Sequence, residues 1–326
     1  MTVFALPTAL RRGIDDFASN VSGHEIAART EKISENYAKH NPTRSAITDN
    51  ADVAAYLTAR CPATFAACVT AFSALAKRAP SLAPLSVLDI GAGPGTASWA
   101  AVEQWPNIET FTMADENEGM LSAARILCAG AGHPALREAR TRCAVISRGL
   151  AEERHDLVVA SYAIGELAFS DMRVILPTLW RSAHHALVLI EPGTPEGFAR
   201  INAVREILIK AGAEIAAPCP HSGSCPILAP DWCHFSQRLP RSRDHMRAKG
   251  ARLPFEDEKF SYVAATRDIL LKNPEGRIID RPKAGKLGMQ FRLCGEMEIS
   301  ERQILRRDKL SYRALKHRKW GDTLPI

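Results

Sequence analysis

The chain reads as an α/β protein built on a doubly wound sheet, with a helical region before the sheet and a cysteine-rich loop inserted late. Three observations carry that reading. From residue 86 onward, short apolar runs alternate with helical stretches, the pattern of strands joined by crossover helices. The first run, SVLDI at 86–90, passes straight into a turn with three glycines, as ligand-binding strand ends do. Cys219, Cys225 and Cys233 fall among Pro218, Pro220, Pro226 and Pro230, a stretch in which no regular element persists.

The elements follow in order. Residues 1–80 are expected to be helical. Ser22 to Glu25 forms a capping box ahead of Ile26, Ile33 and Tyr37 at helical spacing. A second helix runs through Val53, Tyr56, Leu57 and Cys61, and a third, after Pro62, aligns Phe65, Cys68, Val69, Phe72 and Leu75. Pro80 and Pro84 close this region. Strands are expected at 86–90, 109–115, 143–147, 156–161 and 186–191, with helices at 96–105, 120–129 and 171–184 between them. A further helix opens at Thr194-Pro195-Glu196, an N-cap residue followed by proline. FSYVAAT (260–266) and GMQFRLC (288–294) are the last two strands. The expected division is a helical region over 1–80, a main domain over 81–300 with an insertion at 218–256, and a basic tail over 301–326.

With 46% hydrophobic and 24% charged residues, a chain of 326 residues can bury an ordinary core as one large domain or two smaller ones. No apolar run approaches a membrane span, the N-terminus lacks the apolar core of a secretion signal, and Asp15 and Asp16 argue against a transit peptide. The eight cysteines are therefore expected to be reduced thiols of a cytoplasmic protein, or one of the mitochondrial matrix if the source is eukaryotic. Cys61, Cys68, Cys128 and Cys143 are expected to be buried packing residues. Charge is uneven: residues 277–320 hold thirteen Lys/Arg against five Asp/Glu, in a chain whose net charge is +6. Such a stretch is either a solvated face or a surface for an anionic partner, RNA being the natural candidate.

The glycine turn is Asp89-Ile-Gly91-Ala-Gly93-Pro-Gly95-Thr96. Glycines there allow a tight turn and close backbone approach, and the following helix start offers free N–H groups to an anion. Dinucleotide enzymes carry a similar turn, so an oxidoreductase using a nicotinamide cofactor is one reading. The G-x-G-x-G spacing with Asp89 two residues ahead resembles motif I of the class I methyltransferases. That resemblance implies S-adenosylmethionine as cofactor, held by Asp89, Gly91, Gly93 and Gly95, with Asp115 at the end of the second strand on the ribose. It also places the adenine near Ser147-Arg148-Gly149-Leu150, where the family's usual acidic residue is missing. Ser161-Tyr-Ala-Ile-Gly-Glu166-Leu follows the fourth strand, on the acceptor side. Glu166 is the one candidate catalytic residue there, and a polar residue at a helix start is the alternative.

The cysteine loop needs a partner other than a backbone ladder. Thiolates suit an iron–sulfur cluster or zinc, and His221 and His234 keep a Cys/His zinc site open. Trp232 and Phe235 are expected to shield the site from water.

VLDIGAGPGTASWAA, DLVVASYAIGEL, LVLIEPGTPEGF, CPHSGSCPI, DWCHFSQR and KWGD occur in that order. Together they resemble the methyltransferase-like proteins of the small ribosomal subunit, found in bacteria and mitochondria. The resemblance implies a [4Fe–4S] cluster on Cys219, Cys225, Cys233 and Cys294, and the small subunit and its rRNA as partners. It leaves open whether such a protein methylates rRNA or is a non-catalytic RNA-binding assembly factor. A monomer with no membrane contact is expected. For the RNA contact, Arg306, Arg307, Lys309, Tyr312, Arg313, Lys316 and Trp320 interleave cations with rings. In a helix, the last five of these, Lys309, Tyr312, Arg313, Lys316 and Trp320, share one face.

Overall fold

The computed structural model describes residues 5–38, 46–145, 153–272, 276–295 and 298–324. The leading helices described in full are α1 (Thr8–Ala18), α2 (Gly23–Ala38), α3 (Asn50–Ala59) and α4 (Cys61–Arg78). Half of the expected capping box forms, with Glu25 N–H donating to Ser22 Oγ at 3.2 Å. The break between α3 and α4 falls at Arg60, where the axis bends by 48°. Cys61 therefore opens α4 instead of closing α3, and Pro62 sits in the first turn, where its missing N–H costs nothing. Among the described residues no single helix is long and apolar enough to cross a membrane. The apolar character of α3 and α4 is that of a core: Leu57, Phe65, Phe72 and Leu75 are all buried.

The main sheet then begins with β1 (Ser86–Ile90), α5 (Thr96–Gln104), β2 (Thr110–Asp115), α6 (Glu118–Ala129), α7 (Pro134–Arg137), β3 (Arg140–Cys143) and β4 (His155–Ser161). It continues with α8 (Phe169–Ser182), β5 (Ala183–Pro192), α9 (Pro195–Lys210), β6 (Glu214–Ala217), β7 (Phe235–Pro240), α10 (Arg243–Ala248) and β8 (Phe255–Thr266). The strand order is β3-β2-β1-β4-β5-β8-β6, with β7 paired to β8. β3 to β5 run parallel, and β8 enters antiparallel beside β5. This is the mixed sheet of the class I methyltransferase fold. Alternate residues of β1 serve opposite faces: Val87 packs with α4 to α6, Leu88 with α8 and α9. Thr194 caps α9 as the sequence implies, its Oγ1 accepting from Gly197 N–H at 3.1 Å.

Three differences from the sequence reading have physical causes. The third strand lies at Arg140–Cys143, three residues earlier than expected and ending before 144–145, because an edge strand needs little apolar content and here carries charge; 146–147 lie outside the described residues. β8 starts at Phe255, five residues earlier than expected, because its charged half pairs with β7 through ions: Arg238 Nε and Nη2 each donate to Asp257 at 2.7 Å. The third concerns the C-terminal stretch. β9 (Gly276–Ile278), β10 (Lys283–Ala284), β11 (Gly288–Cys294), β12 (Ile299–Leu305), α11 (Lys309–Leu315) and β13 (Thr323–Leu324) build a second, five-stranded sheet. Residues 301–324 are thus folded and not a tail; β12 pairs with β11 along its whole length, and Ile278, Phe291, Leu293, Ile304, Leu315 and Leu324 form its core.

Candidate functional site

The order of the strands reverses between β1 and β4, and in sheets of this kind the ligand crevice opens there, beyond the carboxyl ends. Gly91, Gly93 and Gly95 all hold positive φ, at 62°, 53° and 78°. A side chain at Gly95 would meet Met113 Sδ at 2.9 Å, so glycine is required by space as well as by conformation. Asp115, at the end of β2, accepts from Gly93 N–H through Oδ2 and from Asn117 N–H through Oδ1, each at 2.8 Å. It ties the glycine turn to the start of α6, and its two oxygens, with about four acceptor sites between them, can still accept from a further donor. Burial raises its carboxyl above the usual range despite these donors. A glycine cradle beside a half-buried carboxylate fits a ligand with a diol and a carboxylate, so the residues present fit S-adenosylmethionine.

Asp89 has a different place from the one its motif implies. It is fully buried, and Oδ2 accepts from Ser98 N–H at 3.1 Å and Ser98 Oγ at 2.9 Å, while Oδ1 has no partner. Its role is to hold the first turn of α5 beneath the glycines. Burial pushes its carboxyl up to about 7, with the Asp115 charge adding to the shift. A folded-state value above the unfolded one means the native protein binds the extra proton, so stability falls as pH rises from about 4 to about 7. Asp89→Asn is therefore expected to flatten that slope in urea denaturation measured across this range.

On the acceptor side, Tyr162 follows β4 directly and is one of two described non-glycine residues at positive φ, 57°. Its hydroxyl donates to Glu258 Oε1 at 2.8 Å. Burial, and then the Glu258 charge, raise the phenol well above its ordinary value. Glu166 ends a short 3-10 turn, Ile164–Glu166, and its side chain lies outside the described residues. So does the expected adenine segment at 147–150. The turn is instead anchored by a buried carboxylate, with Gly165 N–H donating to Glu191 Oε1 at 3.2 Å.

The four cysteines meet. Cys219, Cys225 and Cys233 from the loop and Cys294 from the end of β11 line one cavity, closed by Phe198, Ile201, Phe235 and Tyr262. Burial raises the Cys294 thiol to about 12, and the thiols of Cys219 and Cys225 add to the shift. Cys233 is raised well above its usual value by the same causes. Two buried cations flank the cavity. Arg205 donates to the carbonyls of His221 at 3.0 Å and Gly223 at 2.5 Å, and Arg277 to those of Pro218 at 2.8 Å and Gly321 at 2.6 Å. Neither has a carboxylate within ion-pair distance among the described residues. A buried guanidinium without a counter-charge is costly, and thiolates holding a metal group would supply that charge. The donor set fits a thiolate-bound metal group. His221 meets Arg205, and His234 stacks between Trp232, 5.3 Å away, and Trp320, 4.8 Å away edge-on. Phe235 lines the cavity as expected, while Trp232 anchors the loop by donating to Gly193 carbonyl at 3.0 Å.

Residues 50–325 match the family described as mitochondrial small ribosomal subunit Rsm22. The chain belongs to the Rsm22 family. Among curated relatives, it is 28% identical over 298 residues to the ribosome assembly protein METTL17, mitochondrial, of Homo sapiens, covering 83% of this chain and 62% of that protein. It is 25% identical over 296 residues to the Rsm22-cox11 tandem protein 2, mitochondrial, of Schizosaccharomyces pombe, covering 74% of this chain and 38% of that protein. The chain thus spans less than two thirds of either relative. Solved structures with a similar fold include magnesium protoporphyrin IX methyltransferase from Synechocystis, at TM-score 0.41 and 15% identity, covering 63% of this chain and 78% of that one. Another is precorrin-6y C5,15-methyltransferase from Geobacter metallireducens, at TM-score 0.40 and 17% identity, covering 61% and 86%.

In this Rsm22-family chain the basic C-terminal residues lie differently from the sequence expectation. α11 ends at Leu315 with Lys316 as its C-cap, still helical and bonded to Tyr312 carbonyl, so Lys309, Tyr312, Arg313 and Lys316 share the expected face but Trp320 does not extend it. Trp320 turns back onto His234 beside the cysteine loop, and Tyr312 packs on the second sheet's core under Arg306. Arg306, Arg307, Lys309, Arg313 and Lys316 remain exposed, so cations without rings form this surface. Cys61, Cys68 and Cys128 are buried as expected, but Cys143, on edge strand β3, is exposed. Sequence reasoning missed Tyr162, Glu258, Arg205 and Arg277, whose partners lie far along the chain. It also missed Asp156, His184 and His185, which gather at the opposite, amino-terminal edge of the sheet.

Proposed function

We propose that this protein binds S-adenosylmethionine in the crevice over Gly91–Gly95 and Asp115, holds a [4Fe–4S] cluster on Cys219, Cys225, Cys233 and Cys294, and serves assembly of the small ribosomal subunit by contacting its rRNA. The observation that carries the reading is the meeting of four cysteines from two sheets in one cavity flanked by Arg205 and Arg277. A cluster there joins the cysteine loop and the main sheet to β11. The site's spacing favours it over zinc. The one group of three or more His, Cys, Asp or Glu side chains whose ligand atoms all lie within 4.8 Å of one another, among the described residues, is Asp156, His184 and His185. No three of the thiol sulfurs are mutually that close, whereas the sulfurs around a zinc ion sit about 3.8 Å from one another, and this wider spacing supports the cluster. The cluster supplies thiolate-bound iron as a structural brace; the protein's own part is to seal it with Phe235 and Tyr262 and to balance its charge.

Family membership and likeness to the ribosome assembly protein METTL17 support ribosome assembly in the compartment where small subunits are built, the matrix in a eukaryotic source and the cytoplasm in a bacterial one. Methyl transfer to rRNA is the second reading, favoured by the fold and the glycine cradle. Incubating purified small subunits with labelled cofactor separates the two: label in rRNA supports transfer, and binding without label supports assembly. The RNA contact is tested by Lys309→Ala, Arg313→Ala and Lys316→Ala together. If these three cations neutralise phosphates, the slope of log affinity against log salt is expected to fall by about two to three units. An unchanged slope places the contact elsewhere.

A further inference from the structure

Tyr162 occupies an unusual place for a bulky residue. It is the first residue after β4, across the crevice from the glycine turn that follows β1. In sheets of this kind, the group that receives chemistry from a crevice-bound cofactor approaches over this strand end. A tyrosine at φ 57° is strained, and such strain persists only where the surroundings over-determine it.

The surroundings here do so. Tyr162 N–H donates to Ile190 carbonyl at 2.7 Å, which fixes the turn, and the ring packs against the core cluster that includes α4. The hydroxyl ends on Glu258, which is 8% exposed. Glu258 lies on the part of β8 that runs past the last pair with β5, Pro192 with Phe260, and so overhangs the carboxyl edge. That overhang is clamped two residues away. Glu256 receives Arg241 at 2.8 Å and Lys249 at 2.7 Å, and His245 lies at 3.4 Å. Three cationic or protonatable groups on one carboxylate hold the strand still, and the strand holds the phenol.

From this geometry we infer that the Tyr162 ring, latched to Glu258, fills the methyl-acceptor position, so that the crevice admits S-adenosylmethionine but has no room for anything beyond its methyl group. This rests on the cofactor reading above and narrows it: the chain is built to hold the cofactor, with the acceptor side shut by its own side chain. The acceptor subsite is then specificity-determining for the cofactor itself, since it excludes larger groups on the sulfonium.

The test uses the full-length protein and two probes, S-adenosylmethionine and its analogue carrying a propargyl group in place of the transferable methyl. Calorimetric affinities are measured for the wild type, Tyr162→Gly and Tyr162→Phe. The wild type is expected to prefer S-adenosylmethionine by about tenfold or more, as a filled pocket rejects added atoms. Tyr162→Gly removes both ring and strain, and its preference is expected to shrink to about twofold. Tyr162→Phe keeps the ring but loses the latch, and its preference should fall between the two, which keeps the test decisive if the glycine variant does not fold. Equal affinities for both probes in the wild type overturn the inference, as does an undiminished preference in the variants. Failure of the wild type to bind S-adenosylmethionine at all is a different result, and removes the cofactor reading on which the inference stands.

Discussion

Cys294→Ser is expected to abolish the visible thiolate-to-iron absorbance of anaerobically prepared protein and to lower its melting temperature by on the order of 5–10 °C. The size of the effect follows from where Cys294 sits. It ends β11 in the second sheet, while its three partners belong to the loop after β6 in the main sheet. If the proposed cluster is present, removing Cys294 would leave it three protein ligands and cut a tie between sheets. Arg205 and Arg277 would then stay buried beside a cavity that no longer supplies full counter-charge. Other links across this boundary among the described residues include Arg277 to Pro218, Arg292 to Asp231 at 2.6 Å, and the Trp320–His234 contact. Cys143→Ser is the control, since that thiol is exposed on edge strand β3. A spectrum and melting temperature unchanged in Cys294→Ser would exclude that residue as a ligand.

Gly95→Val is expected to destabilise the fold by about 2–4 kcal/mol and to abolish binding of S-adenosylmethionine. Two costs add. A β-branched residue at φ 78° is strained, and its Cβ would stand 2.9 Å from Met113 Sδ and 3.1 Å from Met113 Cε, inside the buried core. Met113 belongs to β2 two residues before Asp115, so relief of the clash moves the glycine turn away from the carboxylate that now holds Gly93 N–H. Urea denaturation and calorimetry read the two effects separately. Binding retained within about twofold in a destabilised variant would mean the turn does not shape the cofactor site.

How much was legible in the sequence depended on whether the deciding contacts are local. SVLDI, the glycine turn and the Thr194 cap were readable because each rests on neighbours within a few residues. The early start of β8, the pairing of β7 and the whole of β12 were not, because their charged residues look like loop until partners such as Arg238 and Asp257, or Arg292 and Glu301, are brought opposite one another. The cysteine site was half legible. Three thiols in a proline-rich loop announce a ligand set, but the fourth came from resemblance alone, since nothing near Cys294 in sequence points to the loop. The aromatic helical face failed because four residues separate the end of α11 from Trp320, enough for the chain to turn back onto His234. Tyr162 stood in a motif already singled out for its neighbour Glu166. Its importance lies in a backbone angle and a distant partner, neither of which a sequence displays.

The most direct test of the account is the metal and sulfide content of protein prepared without oxygen. The expected result is about four iron and four acid-labile sulfide per chain, lost together in Cys225→Ser. About one zinc per chain with no iron would contradict it, because four thiols in this arrangement would then be closing on a single ion.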